Sequence, residues 1–193
     1  MRVALSLLVG TVLVSTAAAQ DSTKGVRIGL RYDPSTKPGI AVLPISGPQG
    51  DSIRTILERD FDFSDRIAVI TLTSSDGELL AGGPPGTTAS LNYPVFAKLG
   101  AAPVVQVTPT PDGGLHVALH DVGAARVASI HDFVLPKPEL GRDWRHAVHG
   151  IADGIEATIT SQRGIAQSRI AFIRRNIVHV IDSDGEMEIS IPV

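Results

Sequence analysis

Trp144, Val148, Ile151, Ile155 and Ile159 recur every three or four residues, the spacing that lines apolar side chains along one face of a helix. Starting at about Leu140, this is the longest amphipathic segment of the 193-residue chain. A helix of that length should cover the apolar face of a sheet. Burying five such side chains at about 1.5 to 3 kcal/mol each makes it the main closure of the core. Ser161-Gln162-Arg163-Gly164 stops the helix, and Gly164 is predicted as its left-handed cap.

The strands beneath it are legible upstream. Gly39-Ile40-Ala41-Val42-Leu43-Pro44-Ile45 is a continuous apolar run of the length of a buried central strand, with Pro44 at its end. Asp51-Ser52 read as the cap of a helix that turns Ile53, Ile56, Leu57 and Phe61 inward and leaves Arg54, Glu58 and Arg59 on the wet side. Residues 66–72 form the next strand and complete a β-α-β opening. Residues 73–89, which contain Gly82-Gly83-Pro84-Pro85-Gly86, have no periodicity and read as a surface loop. A short helix over 93–99 is expected to pack Tyr93, Phe96 and Leu99 inward. Strands over 103–110, 115–121 and 126–135 follow, joined by turns at Asp112-Gly113-Gly114 and Val122-Gly123-Ala124. The predicted class is therefore α+β: a mixed sheet with a β-α-β opening, an antiparallel meander and a long C-terminal helix, with the helices on one face.

Both ends fall outside that unit. Met1-Arg2, an apolar stretch to Val14 and a small-residue exit ending Ala17-Ala18-Ala19 have the three parts of a secretory signal, cleaved after Ala19. The apolar stretch is shorter than the roughly 20 residues that span a bilayer. Residues 25–32 alternate Val26, Ile28 and Leu30 with Arg27, Gly29 and Arg31, the period of a half-buried strand. Two prolines follow in 33–38 and leave this strand loosely tethered. Beyond the long helix, 169–173, 177–181 and 187–193 are three short strands, with the turn Asp182-Ser183-Asp184-Gly185 before the last. Such a small sheet has to dock on the domain or begin something further. The expected division is a signal peptide over 1–19, a core domain over 20–163 and the start of a second unit over 164–193.

Composition narrows the chemistry. A hydrophobic fraction of 43% supports a core, and the absence of cysteine removes disulfides, thiol nucleophiles and Cys-based zinc sites. A formal charge of -3 argues against a dedicated nucleic-acid binder. His146, His149 and Asp153 lie near one face of the long helix. They could ligate a metal, but no fourth ligand suggests itself. His149 and Asp153 could instead form an i,i+4 pair, exposed or buried against the next strand. An enzyme reading would make this pair the centre of a hydrolase. Asp182-Ser183-Asp184-Gly185 resembles the start of a calcium loop but lacks the downstream glutamate, so a tight turn is expected. The glycine-rich run has no phosphate-loop register, no serine sits in a G-x-S-x-G frame, and no cofactor is implied. Residues alone lead to an exported α+β domain that binds something, for example a small-ligand or peptide domain with 73–89 as its lid.

Several stretches in order resemble the TolB family, periplasmic components of the bacterial Tol–Pal envelope system. They are Gly25-Val26-Arg27-Ile28 with Pro38-Gly39-Ile40-Ala41-Val42-Leu43-Pro44; Asp60 with the residues up to Ile67; Leu99-Gly100-Ala101; Pro111-Asp112-Gly113-Gly114; and Leu119-His120-Asp121-Val122. The fullest match is Arg145, Ala147, His149, Asp153, Ile155 and Gly164, then Ser168-Arg169-Ile170-Ala171-Phe172-Ile173. The resemblance implies an N-terminal domain like the anticodon-binding domains of some tRNA synthetases, followed by a β-propeller, with 169–185 as the first strands of a blade. It implies no catalysis and a part in envelope integrity, cell division and protein import. It further implies structural roles for Arg145, His149 and Asp153, and contact with the inner-membrane protein TolA through Val26, Arg27, Ile28, Gly29, Leu30, Arg31 and Tyr32. Arg31 and Tyr32 depart from the family pattern. Pal is bound on the propeller, so Pal binding is not expected of this span.

Overall fold

The computed structural model describes residues 37–73 and 91–192. Five strands form the first sheet: β1 (Gly39–Val42), β2 (Ala68–Ile70), β3 (Ala101–Pro109), β4 (Leu115–Asp121) and β5 (Arg126–Phe133). Their order is β2-β1-β3-β4-β5. β1 runs parallel to both neighbours, while β3, β4 and β5 form an antiparallel meander. The mixed sheet predicted from the sequence is therefore present. Gly113, at φ 85, turns β3 into β4, and its N–H donates to the Thr110 carbonyl at 3.0 Å.

The continuous apolar run around β1 is explained by cover on both faces. Ile40 and Val42 point to one core and Ala41 and Leu43 to another. The first core is closed by α1 (Gly50–Phe63), through Ile53, Ile56, Leu57 and Phe61, and by a long helix (Arg142–Thr160), through Trp144, Val148, Ile151, Ile155 and Ile159. A short helix, α2 (Tyr93–Lys98), covers the opposite face with Phe96, and the long helix is α3. Helices thus lie on both faces, which corrects the one-face expectation. A central strand apolar on both sides requires this arrangement.

Three local expectations are also corrected. Asp51 and Ser52 do not cap α1, whose N-cap residue is Gln49 and makes no side-chain capping bond. The start is set by a tight turn in which the Gly50 N–H donates to the Gly47 carbonyl at 3.1 Å. A Cβ at Gly50 would lie 2.0 Å from the Ile45 carbonyl oxygen, so only glycine fits. Leu99 does not pack inward but is 46% exposed, because it caps α2 just before Gly100 turns the chain toward β3 at φ 82. Ser161, not Gly164, adopts the left-handed conformation that ends α3, with φ 59.

On the α2 side the buried polar group is His120. Its Nδ1 lies 3.0 Å from the Tyr93 hydroxyl and its Nε2 3.1 Å from Gln106 Oε1, so a neutral ring is satisfied at both nitrogens. After α3 the chain forms a separate three-stranded antiparallel sheet, β6 (Arg169–Arg174), β7 (Ile177–Asp182) and β8 (Ile189–Ile191). Residues 1–36, which include the predicted signal and the 25–32 strand, and residues 74–90, most of the predicted loop, lie outside the described residues.

Two outcomes follow. Phe61 is fully buried in the larger core; Phe61→Ala should cost about 3 to 5 kcal/mol in chemical denaturation. Burial holds the His120 imidazole below its ordinary value of 6.5. Its contribution to stability is therefore present above that pH and lost as pH falls through the folded-state value. A histidine NMR titration should place the His120 midpoint below 6.5.

Candidate functional site

Helix α3 carries a second stripe beside its apolar one. Arg145, His149 and Asp153 are spaced four apart, and Glu156 continues the row, so all four rise along one edge of the helix. His149, Asp153 and Glu156 are buried, and the Arg145 side chain is only 17% exposed. Charges so placed cannot reach bulk water and need partners from other elements.

Each finds one. His149 Nδ1 lies 2.7 Å from Asp60 Oδ2, on the inward face of α1 next to Phe61. Its Nε2 lies 3.3 Å from Asp184 Oδ2, close enough for electrostatic attraction but without the direction of a hydrogen bond. Arg145 donates to the same Asp184 oxygen. The Arg59 guanidinium reaches the Asp184 backbone carbonyl at 2.7 Å, and Asp184 Oδ1 accepts the Glu186 N–H at 3.0 Å. Further along the row, Asp153 accepts the backbone N–H groups of Ala166 and Gln167 at 2.7 and 3.1 Å. Glu156 pairs with Arg66 at 2.8 Å.

His149 and Asp153 thus do not pair with each other; of the two expectations it is the buried contact toward the next strand that is found, and Asp153 makes it. Asp153 turns to the backbone of 166 and 167 because the chain after α3 doubles back against it. Gly164 has its real role there: a Cβ would sit 2.2 Å from Asp153 Oδ1 and 2.7 Å from its Cα, so the doubling back requires a residue without one. Asp182 and Asp184 form the tight turn expected of them, with the Gly185 N–H donating to the Asp182 carbonyl at 2.9 Å. Their carboxylates, however, go to Arg169 and Arg145.

Environment sets the protonation of the cluster. Burial pushes the Asp60 carboxyl above the usual carboxylate range, and the hydrogen bond from His149 only partly offsets this. Burial acts upward on Asp184 too, but the Glu186 N–H and the Arg145 guanidinium hold it below that range. Burial disfavours a charged His149, yet the Asp60 hydrogen bond and the two carboxylates outweigh it and hold the ring above 6.5. Glu156 is raised by burial despite Arg66.

A cavity of about 320 Å³ opens beside the cluster, lined in part by Ser52, Thr55, Arg59 and Glu186. His149 offers no free ring nitrogen to the hydroxyls of Ser52 and Thr55, because both of its nitrogens already face carboxylates. The His149–Asp153 hydrolase constellation is therefore not assembled. His146, His149 and Asp153 do not converge either, and among the described residues no group of three or more His, Asp or Glu side chains is arranged to hold a metal ion. Among the described residues no helix is long and apolar enough to cross a membrane.

Sequence spacing singled out His149 and Asp153, and the family resemblance added Arg145, but neither brought Asp60, Asp184, Glu156 or Arg66 to the cluster. Two of these carried a signal. Asp60 sits between inward-facing Leu57 and Phe61, and Glu156 sits beside Ile155, both positions where a charge implies a buried partner. Val26, Arg27, Ile28, Gly29, Leu30, Arg31 and Tyr32 lie outside the described residues.

Among solved structures the chain is similar to TolB from Acinetobacter baumannii, with a TM-score of 0.60 and 22% identity over 83% of this chain. It spans 39% of the length of that protein. The likeness shows a TolB-like fold. A hypothetical protein, CT253, from Chlamydia trachomatis matches at a TM-score of 0.45 and 16% identity, over 66% of this chain and 100% of its own. No protein-family model matches the chain, and no curated protein matches it in sequence.

If Asp153 holds the segment after α3, removing its carboxylate leaves two amide groups without acceptors. Asp153→Ala should cost about 2 to 4 kcal/mol, at roughly 1 to 2 for each amide, measured by urea denaturation. Asp153→Asn, which keeps one acceptor oxygen, should lose less.

Proposed function

We propose that this chain is a non-enzymatic, TolB-like periplasmic protein of a Tol–Pal-type envelope system, acting by protein contact. The observation that carries the reading is the likeness in fold to TolB, with a TM-score of 0.60 over 83% of the chain. The ordered sequence resemblance from Gly25 to Gly185 supports it. So does the character of the charged cluster, in which every acidic and basic group is spent on another part of the same chain.

In this reading residues 1–19 are the export signal, 20–163 the α/β domain and 164–193 the beginning of a propeller blade, represented by β6, β7 and β8. The segment Val26–Tyr32 is the contact for a TolA-like inner-membrane protein. Its alternating side chains suit addition as a strand to an exposed sheet edge, where backbone hydrogen bonds supply affinity and alternate side chains supply specificity. Arg31 and Tyr32 are the two positions of this segment that depart from the family pattern.

The test is capture of the periplasmic part of a TolA-like protein by the exported chain, with and without residues 25–38. Binding should be lost on deletion while the thermal melt of the domain stays unchanged. Equal capture by both chains would remove the role assigned to Val26–Tyr32.

A further inference from the structure

We propose that His149 is a proton-operated latch between the α/β domain and the β6–β8 sheet, closed when its ring is an imidazolium and loosened when the ring is neutral. The argument rests on what its two nitrogens face. Nδ1 is hydrogen-bonded to Asp60 of α1 at 2.7 Å, and Nε2 stands 3.3 Å from Asp184, in the turn between β7 and β8. A neutral imidazole carries one proton. With that proton committed to Asp60, an unprotonated Nε2 would stand 3.3 Å from a carboxylate oxygen at a position closed to water. Two electron-rich atoms so placed repel, and the low local dielectric magnifies the effect. A second proton turns the repulsion into attraction and joins α1, α3 and the turn through one ring.

The charges around the ring agree. From α1 come Asp60 and Arg59, from α3 Arg145 and Asp153, and from the turn Asp184 and Glu186. Arg59 is engaged with the Asp184 carbonyl and Asp153 with the 166–167 backbone, and Glu186 is at the exposed rim. At the centre, Arg145 and protonated His149 balance Asp60 and Asp184. Loss of the proton leaves one uncompensated negative charge in a buried site.

The latch is one of several ties. Arg145 to Asp184, Arg59 to the Asp184 carbonyl, Arg142 to the Met187 carbonyl and Ser183 to the Ala166 carbonyl remain when His149 loses its proton. Deprotonation therefore loosens the sheet without detaching it. Because the folded-state value of His149 lies above 6.5, its contribution is full below that pH and disappears as pH rises through the folded value. Toward acid, Asp184 stays ionised below the usual carboxylate range, and Asp60, which is raised, protonates first and limits the window. The latch thus operates between the titrations of Asp60 and His149.

Amide hydrogen exchange on the full chain, corrected for intrinsic pH dependence, tests this from about pH 6 to about pH 9, a range that brackets the histidine titration. Protection of β6, β7 and the 182–187 turn should fall relative to β3 and β4 as pH rises. The fall should approach tenfold for each unit by which folding raises the His149 pKa. His149→Asn keeps a donor for Asp60 and has no proton to lose, so the relative protection of the sheet should be low and independent of pH. If the wild-type ratio is flat across the range, or the variant shows the wild-type slope, the proposal is overturned. Should the variant fail to fold, histidine NMR on the wild type decides: the His149 midpoint must lie above 6.5 and coincide with the loss of protection. A midpoint below 6.5, or one separate from that loss, overturns the latch.

Discussion

When α3 lies down on the sheet, its apolar stripe and its charged stripe are buried together, and the second can be satisfied only by groups from elsewhere in the chain. Trp144, Val148, Ile151, Ile155 and Ile159 supply the hydrophobic drive. The cost falls on Arg145, His149, Asp153 and Glu156, each of which loses water without finding a partner on its own helix. Where α1, the strand beginning near Arg66, the 164–167 segment and the 182–186 turn come to rest follows from how that row is paired. Removing one partner from such a buried network leaves another charge stranded, and this is what makes the arrangement specific to one packing.

The network also explains how a small sheet survives at the end of this span. β6, β7 and β8 leave Ile173, Ile189 and Ile191 exposed on one face, too little burial for the sheet to hold itself together. Polar ties fix it instead. Asp153 grips its approach, and Asp184 is gripped by Arg145, Arg59 and His149. The same residues thereby connect the α/β unit to the β6–β8 sheet. A His ring is the one member of this set whose charge changes near neutral pH, so the connection responds to protons where the arginine ties do not.

Much of the α/β unit was legible from residue patterns. The periodicity of 142–160, the apolar run at Gly39–Val42 and the alternation in 101–121 report local burial, and local burial is what a side chain's neighbours in sequence encode. The misreadings were of a different kind. Asp51 and Ser52 have capping chemistry, but the close approach of Gly50 to Ile45 places the helix start earlier. Gly164 has the right chemistry for a left-handed cap, yet Ser161 takes that conformation because Gly164 is needed where the backbone passes over Asp153. In each case a close steric contact at the end of the helix overrode a capping preference.

The sequence by itself determined which faces are apolar and where regular structure begins and ends to within a few residues. Only the tertiary structure decided which charges meet. Asp60 lies 89 positions from His149 and Asp184 lies 39 from Arg145, and no spacing rule spans such distances. Hydrophobic burial is non-directional and can be read from composition and period, whereas ion pairs and hydrogen bonds depend on distances and angles that exist only after the elements have packed.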